Sequence, residues 1–350
     1  MGIYLNTGNE QLEVQKMAYK EFISELQKKL EEKKQELDYS KMAFFEDGAT
    51  STDEKELSII RETNIKYHKM ESDVLNGDYI ILHQIKGKRE QVCRFDCRQL
   101  YQMYEEGGWA AVWEQIVDSI EFSKKFMEIG IIDLIEKNEY GPLKDKLFIR
   151  PLNFNDHRFE LKNHIYRRVG DMALVLYILV SDENDGNRHD VMSVKMPKSS
   201  MQAWGIEEEE VWENALINTY IMAPPRMYLN PMDLANPPYH KGAFMALNSD
   251  IDSLPPLSVP TVTTTAQING AIAMFYPGVM KRIAELFGDD YYIAFTGTSE
   301  ARLHKKGTVQ PRNILMRIKQ MNKTFDPSET LSNKVYLYET ANQKMRQLEL

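Results

Sequence analysis

Two acid–histidine neighbours, Asp156-His157 and His189-Asp190, have the residue types of a general base with an orienting carboxylate. With His164 they fall near the ends of expected strands in the middle of the chain, where they could activate water for hydrolysis. Adjacent residues on a strand point to opposite faces, so His189 and Asp190 do not make a dyad by themselves. The simpler reading is polar residues along a hairpin rim. Thr261, Thr263, Thr264 and Thr265 precede Asn269-Gly270. A threonine is a nucleophile only with a base beside it, and β-propensity followed by a turn accounts for this cluster.

Other chemistries lack their patterns. The 7 histidines are scattered, H-E-x-x-H does not occur, and Cys93-x-x-x-Cys97 has no second Cys/His pair at usable spacing. No metal or cofactor is expected, and Cys93 reads as a buried thiol. The phosphate-binding patterns G-x-x-x-x-G-K-[ST] and G-x-G-x-x-G are missing, as are kinase and nucleophile-elbow signatures. Residues 223–260 hold 8 of the 14 prolines and carry Tyr228, Tyr239, His240 and Lys241. Aromatics among prolines on a long loop are candidate contact residues for a peptide or partner protein, the competing reading being a loop that packs its own aromatics on the domain.

These residues need elements to hold them. Apolar positions from Leu12 to Leu30 predict a long helix over 9–38, capped by Thr7 or Asn9. Asn76-Gly77-Asp78 predicts a turn, then strands at 79–82 and 91–95 around Lys86-Gly87-Lys88. Asp96 should cap a helix that Gly107-Gly108 stops, with a second helix over 109–126. Strands are expected at 147–149, 173–180 and 190–195, the last two as a hairpin with a polar loop. Helices are expected at 207–220, 277–286 and 312–321, the first opening on Glu207 to Glu210, which complement a helix N-terminus better than they suit a metal. Further strands are expected at 257–263, 291–295 and 334–338. Short strands joined by hairpins, with helices in blocks, give an α+β class with mainly antiparallel strands. Two subdomains are expected: a helix-rich region with a strand pair over 1–145, and an α+β domain over 146–350 that contains the proline-rich loop.

The bulk numbers fit that class. In 350 residues, hydrophobic residues are 43% and charged residues 27%. A net charge of −9 leaves no electrostatic footprint for nucleic acid. The longest apolar run, Met172 to Val180, is far short of the roughly 20 residues that cross a membrane. Two cysteines make no disulfide framework, and the N-terminus lacks a signal-peptide pattern, so the chain reads as soluble and cytoplasmic.

Order and pattern across about residues 90–340 resemble a bacterial family, domain of unknown function 5688. The resemblance rests on Leu176-Tyr177-Ile178-Leu179-Val180, on Trp204-Gly205-Ile206 with the acidic helix start, and on Asn214-Ala215 and Asn218-Thr219. It continues through Asn269-Gly270-Ala271, Tyr276-Pro277-Gly278 and Leu331-Ser332-Asn333-Lys334-Val335-Tyr336. It implies an α+β fold and a bacterial, intracellular origin, and supplies no activity, cofactor or catalytic residue. Family members often carry Ser-Ser-x-His-Glu after the strand near Tyr292, where this chain has Thr296-Gly297-Thr298-Ser299-Glu300 and no histidine. The leading expectation is a non-enzymatic protein- or peptide-binding module. The alternatives are a hydrolase with its site at Asp156, His157, His189 and Asp190, and a structural homodimer.

Overall fold

A computed structural model describes residues 17–87, 89–128, 131–184, 189–230 and 251–350, without the side chains of 131, 132, 136, 182–184, 189 and 190. The chain divides into two compact units, Met1–Ile129 and Gly130–Leu350, earlier than the 145/146 division suggested by the sequence.

In the first unit, α1 (Tyr19–Glu32) buries Phe22, Ile23, Leu26 and Leu30, one stripe at helical spacing. The expected long helix is interrupted at Lys33, resumes as α2 (Lys34–Leu37) and ends on Asp38 in the left-handed conformation. Leu12, Thr7 and Asn9 lie outside the described residues. Strands β1 (Lys41–Phe45), β2 (Tyr79–Lys86) and β3 (Arg89–Asp96) form an antiparallel sheet in that order. Between β1 and β2, α3 (Glu54–Thr63) starts on Asp53, whose carboxylate accepts from the Lys55 and Glu56 amides. Asp96 starts the next helix in the same way, through the Arg98 and Gln99 amides. That helix, α4 (Cys97–Glu128), is two helices broken at Gly108, where φ is 68°. Cys93 and Cys97 are buried free thiols, and burial pushes both above the ordinary thiol range.

The second unit holds two sheets. In the first, β4 (Leu147–Asn153) and β5 (Tyr166–Val169) pair with β6 (Met172–Asn184), which also pairs with β7 (His189–Lys195), all antiparallel. The helix α9 (Glu208–Met222) covers the free edge of β4. Thr219 Oγ1 accepts from the Ile149 amide at 3.0 Å, and Asn218 Nδ2 donates to the Lys144 and Leu147 carbonyls. Asn214 Nδ2 donates to Tyr140 on α6 (Tyr140–Leu143), which follows α5 (Ile131–Lys137). The acidic start of α9 pairs with Arg167 through Glu209 at 2.6 Å. Between strands lie the short helices α7 (Phe154–His157) and α8 (Lys198–Trp204).

The second sheet has six strands in the order β13 (Lys344–Gln347), β12 (Val335–Glu339), β10 (Tyr291–Phe295), β11 (Ala301–Lys305), β9 (Thr261–Thr264) and β8 (Pro225–Tyr228). The helices α10 (Val279–Phe287) and α11 (Pro311–Met321) accompany it. Within the expected long loop the chain thus forms β8, and residues 231–250 lie outside the described set. Asn269-Gly270 opens a 3-10 helix (Gly270–Phe275) pressed on β9: a Cβ at Gly270 would lie 2.1 Å from Thr263 Oγ1 and 2.4 Å from the Ser299 carbonyl.

The two sheets are tied at the β5–β6 turn. Asp171 is 7% exposed and accepts from Tyr336 Oη at 2.5 Å, Ser332 Oγ at 2.7 Å and the Asn333 amide at 3.2 Å. The fold is α+β, with antiparallel sheets and several helices. Among the described residues no helix is long and apolar enough to cross a membrane.

Candidate functional site

His157 sits on α7, whose start is fixed by Asn153 Oδ1 accepting from the Asn155 and Asp156 amides. His157 Nδ1 lies 3.1 Å from Glu160 Oε2, and Lys195 Nζ donates to Glu160 Oε1 at 2.7 Å. Burial pushes the Glu160 carboxyl up, but the His157 hydrogen bond and the Lys195 ammonium outweigh it and hold it at about 2. Burial pulls Lys195 down, but Tyr177 and Glu160 outweigh it and raise it. Burial also lifts the Tyr177 phenol. Near neutrality the carboxylate, ammonium and phenol of this group are each locked in one protonation state, which suits placement of charge better than proton transfer.

The structure does not bring the two acid–histidine pairs together. Asp156 is exposed. His189 and Asp190 stand at the start of β7, opposite Asn184 and Glu183, whereas Lys195 at its other end meets Glu160. Six residues of strand put about 20 Å between the His189 and Lys195 backbones. The hydrolase site expected from Asp156, His157, His189 and Asp190 therefore does not assemble in one place along this strand. Tyr228, expected as a contact residue, is only 7% exposed on β8, opposite Thr261, so its side chain is enclosed in the fold rather than offered to a partner. Tyr239, His240 and Lys241 lie outside the described residues.

What the register does bring together is a row across three strands. Phe148 on β4 faces Tyr177 on β6, which faces Lys195 on β7. Arg150 falls two residues beyond Phe148, on the same face. Its guanidinium carbon lies 5.1 Å from the Phe148 ring centre and 5.1 Å from that of Tyr177, while Lys195 Nζ is 5.4 Å from the same tyrosine ring. Burial pulls the Arg150 guanidinium below the ordinary arginine range, and Tyr177 offsets part of this. Its Nε is buried with no hydrogen-bond partner, and among the described residues no carboxylate pairs with it.

Arg150 lines a cavity of about 170 Å³. Its walls are the β4 edge at Phe148 and Ile149, Val191 of β7, the end of α9 at Thr219 and Met222, and the turn from Ala266 to Ile272. The lining is mostly apolar, with one cation that no described carboxylate pairs. The sequence signal was present: Arg150 interrupts the apolar run Leu147-Phe148-Ile149 inside a strand. A second site that the sequence reading missed lies in the first unit. There His83 Nδ1 is 2.6 Å from Glu90 Oε1, beside a cavity of about 360 Å³. The hydrogen bond from His83 holds Glu90 below the usual carboxylate range, so this charge is already matched. The two residues flank the Lys86-Gly87 turn on adjacent strands, so the hairpin pattern was the available signal.

The model of a family of unknown function, DUF5688, matches residues 19–340. The chain belongs to this family. No curated protein and no solved structure matches it. In this DUF5688 chain, the stretch Thr296 to Glu300 after β10 lines an open cavity of about 280 Å³. Glu300 Oε1 accepts there from Thr296 Oγ1 at 2.9 Å and from Arg302 Nε at 3.2 Å, so its charge is satisfied as well. Of these three cavities, the one beside Arg150 is lined by a half-buried charge that no described carboxylate balances.

Proposed function

We propose that this DUF5688 protein is a non-enzymatic peptide-binding module that seats one apolar side chain of its partner in the pocket between β4 and α9. The observation that carries the reading is a mostly apolar pocket with exposed apolar side chains in its own wall. Met222 and Ile268 line the pocket while themselves exposed. Apolar groups gathered at a pocket mouth, rather than scattered singly, are the usual surface of a binding site. The charge-locked group around Glu160 favours binding over acid–base turnover. The pocket is the surface to test; of the expected 223–260 contact loop, residues 231–250 lie outside the described residues.

Ala266 is exposed on a turn and lines the pocket, so Ala266→Trp fills it without disturbing the core. A random-peptide display screen against the wild type should enrich sequences with one apolar anchor, and the enrichment should disappear with Ala266→Trp. The same enriched sequences on both proteins would reject this pocket as the site.

A further inference from the structure

Arg150 is a half-buried cation in the Glu160 neighbourhood whose charge nothing described neutralises. Lys195 has Glu160 at 2.7 Å, and His157 has the other oxygen of the same carboxylate at 3.1 Å. Among the described residues Arg150 has two aromatic rings and no acid. Stacking on Phe148 and Tyr177 satisfies the faces of a guanidinium, but its hydrogen-bond donors lie in its plane and are left over. The buried, unpartnered Nε shows this directly. A desolvated charge without a partner is costly, and such departures from a well-satisfied interior concentrate where a ligand completes the arrangement.

We propose that Arg150 receives the carboxylate of a ligand whose apolar part fills the adjoining pocket. The inference rests on the pocket reading above and names the chemistry that the pocket selects. Size sets the first limit. At 170 Å³ the cavity is close to the roughly 150 Å³ cavity that accepts a benzene ring, and below the roughly 300 Å³ at which sites for drug-sized ligands begin. One side-chain-sized group fits, and a nucleotide or large cofactor does not. Charge sets the second. A planar carboxylate matches the fork of one arginine, whereas a phosphate brings more oxygens than one guanidinium can serve. Beyond Arg150, the Thr219 hydroxyl is already donated to the Ala215 carbonyl and Ile149, Val191, Met222 and Ile272 offer no side-chain donors, which leaves the Asn269 amide alone to serve such a dianion. The ligand chemistry is therefore a monocarboxylate next to a single aromatic or branched aliphatic group. A peptide ending in Phe or Leu has it, and so does a free aromatic acid.

Isothermal titration of the full chain separates these cases with four probes: benzoate, benzyl alcohol, and acetyl-Ala-Ala-Phe as free acid and as amide. The expected result is that at least one acid binds about ten- to a hundredfold more tightly than its uncharged counterpart, the range of one charged hydrogen-bonded contact. Added salt should narrow the gap, and Arg150→Met should close it while leaving the uncharged probe's affinity unchanged. Preference for the peptide acid over benzoate identifies a C-terminus as the ligand; benzoate binding as well as the peptide identifies a small acid. If acid and uncharged probes bind equally, the carboxylate inference is wrong and the apolar pocket stands. If none of the four binds, both fall. The acid-against-alcohol comparison uses only wild-type protein, so it decides the matter even where Arg150→Met does not fold.

Discussion

Asp171 is a buried charged group in the second unit and Arg150 a half-buried one, and they are solved in opposite ways. Asp171 receives two hydroxyls and a backbone amide, so each carboxylate oxygen is used. Its partners lie more than 160 residues further along the chain, and the cluster ties one sheet to the other. Among the described residues Arg150 receives aromatic faces alone, and it opens onto a cavity. Burial alone therefore does not separate architecture from function; completeness of the hydrogen bonding does. The residues that carry the family resemblance fall largely on the architectural side. Asn214, Asn218 and Thr219 lash α9 to its neighbours, Gly270 permits a close backbone approach, and Ser332 and Tyr336 hold Asp171.

The largest expected effect tests the satisfied side. Asp171→Ala removes the common acceptor and strands the Tyr336 and Ser332 hydroxyls in the interior. The full chain should lose about 3–4 kcal/mol in urea unfolding, since each stranded or charge-assisted contact is worth about 1–3 kcal/mol. A loss below about 1 kcal/mol would class Asp171 with ordinary surface acids and break the comparison.

Gly170 comes next. Its φ is 62°, and an added Cβ would come within 2.5 Å of Tyr336 Oη, an atom tethered by Asp171. Gly170→Ala should cost about 2 kcal/mol from backbone strain and the clash together. Because one hydroxyl is both the clashing atom and the tether, Gly170→Ala and Tyr336→Phe should be non-additive in a double-mutant cycle, and strict additivity would mean that the turn adjusts without touching the cluster.

Glu160 probes the charged group beside Arg150. Its carboxyl drops from 4.5 to about 2 on folding, so its stabilising contribution is complete above pH 4.5 and is lost as pH falls toward 2. Burial, with Arg317 and Arg302 nearby, lowers His304 from 6.5 to about 4, so it destabilises the fold over the earlier window as pH falls from 6.5 to 4. Glu160→Gln should cost about 1–2 kcal/mol at neutral pH. Thermal unfolding followed against pH should then lose part of the drop below about 4.5, the rest belonging to other held carboxylates such as Glu90 and Asp290, and keep the slope from His304. An unchanged curve below 4.5 would show that Glu160 is not held by its partners.

Much of this fold is legible in the sequence, and the limits are physical. The run Met172 to Val180 declares a strand by composition, and Tyr291 to Phe295 is bounded by turn residues. By contrast β5 (Tyr166-Arg167-Arg168-Val169) and β11 (Ala301-Arg302-Leu303-His304-Lys305) have four or five residues with charges among them, too few for period-two alternation to stand out. Strand β8 opens on Pro225, which argues locally against a strand and is tolerated because it is the first residue of an edge strand. The candidate site was harder still. Asp156-His157 and His189-Asp190 drew notice because each pair is adjacent in sequence, yet adjacency says little about convergence. Arg150 stood in plain view inside a strand, but its missing partner became visible only once residues 148, 160, 177 and 195 met in space.

The smallest stability effect is the most diagnostic, because its sign differs from that of the others. Removing a buried charge that has a partner leaves the partner stranded, whereas removing one without a partner removes a desolvation cost. Arg150→Met keeps the straight apolar stem and gives up the guanidinium stacking on Phe148 and Tyr177, a contact worth about 0.5–2 kcal/mol. The cost of burying the charge is of similar size and opposite sign. The change in unfolding free energy should therefore stay within about 1 kcal/mol of zero, on the stabilising side if desolvation outweighs stacking. A residue of the Asp171 kind could not behave so: its loss must destabilise by several times that amount. A loss of about 3 kcal/mol or more in Arg150→Met would mean that the guanidinium already has its full set of partners, and the two charges would then be one kind of structure rather than two.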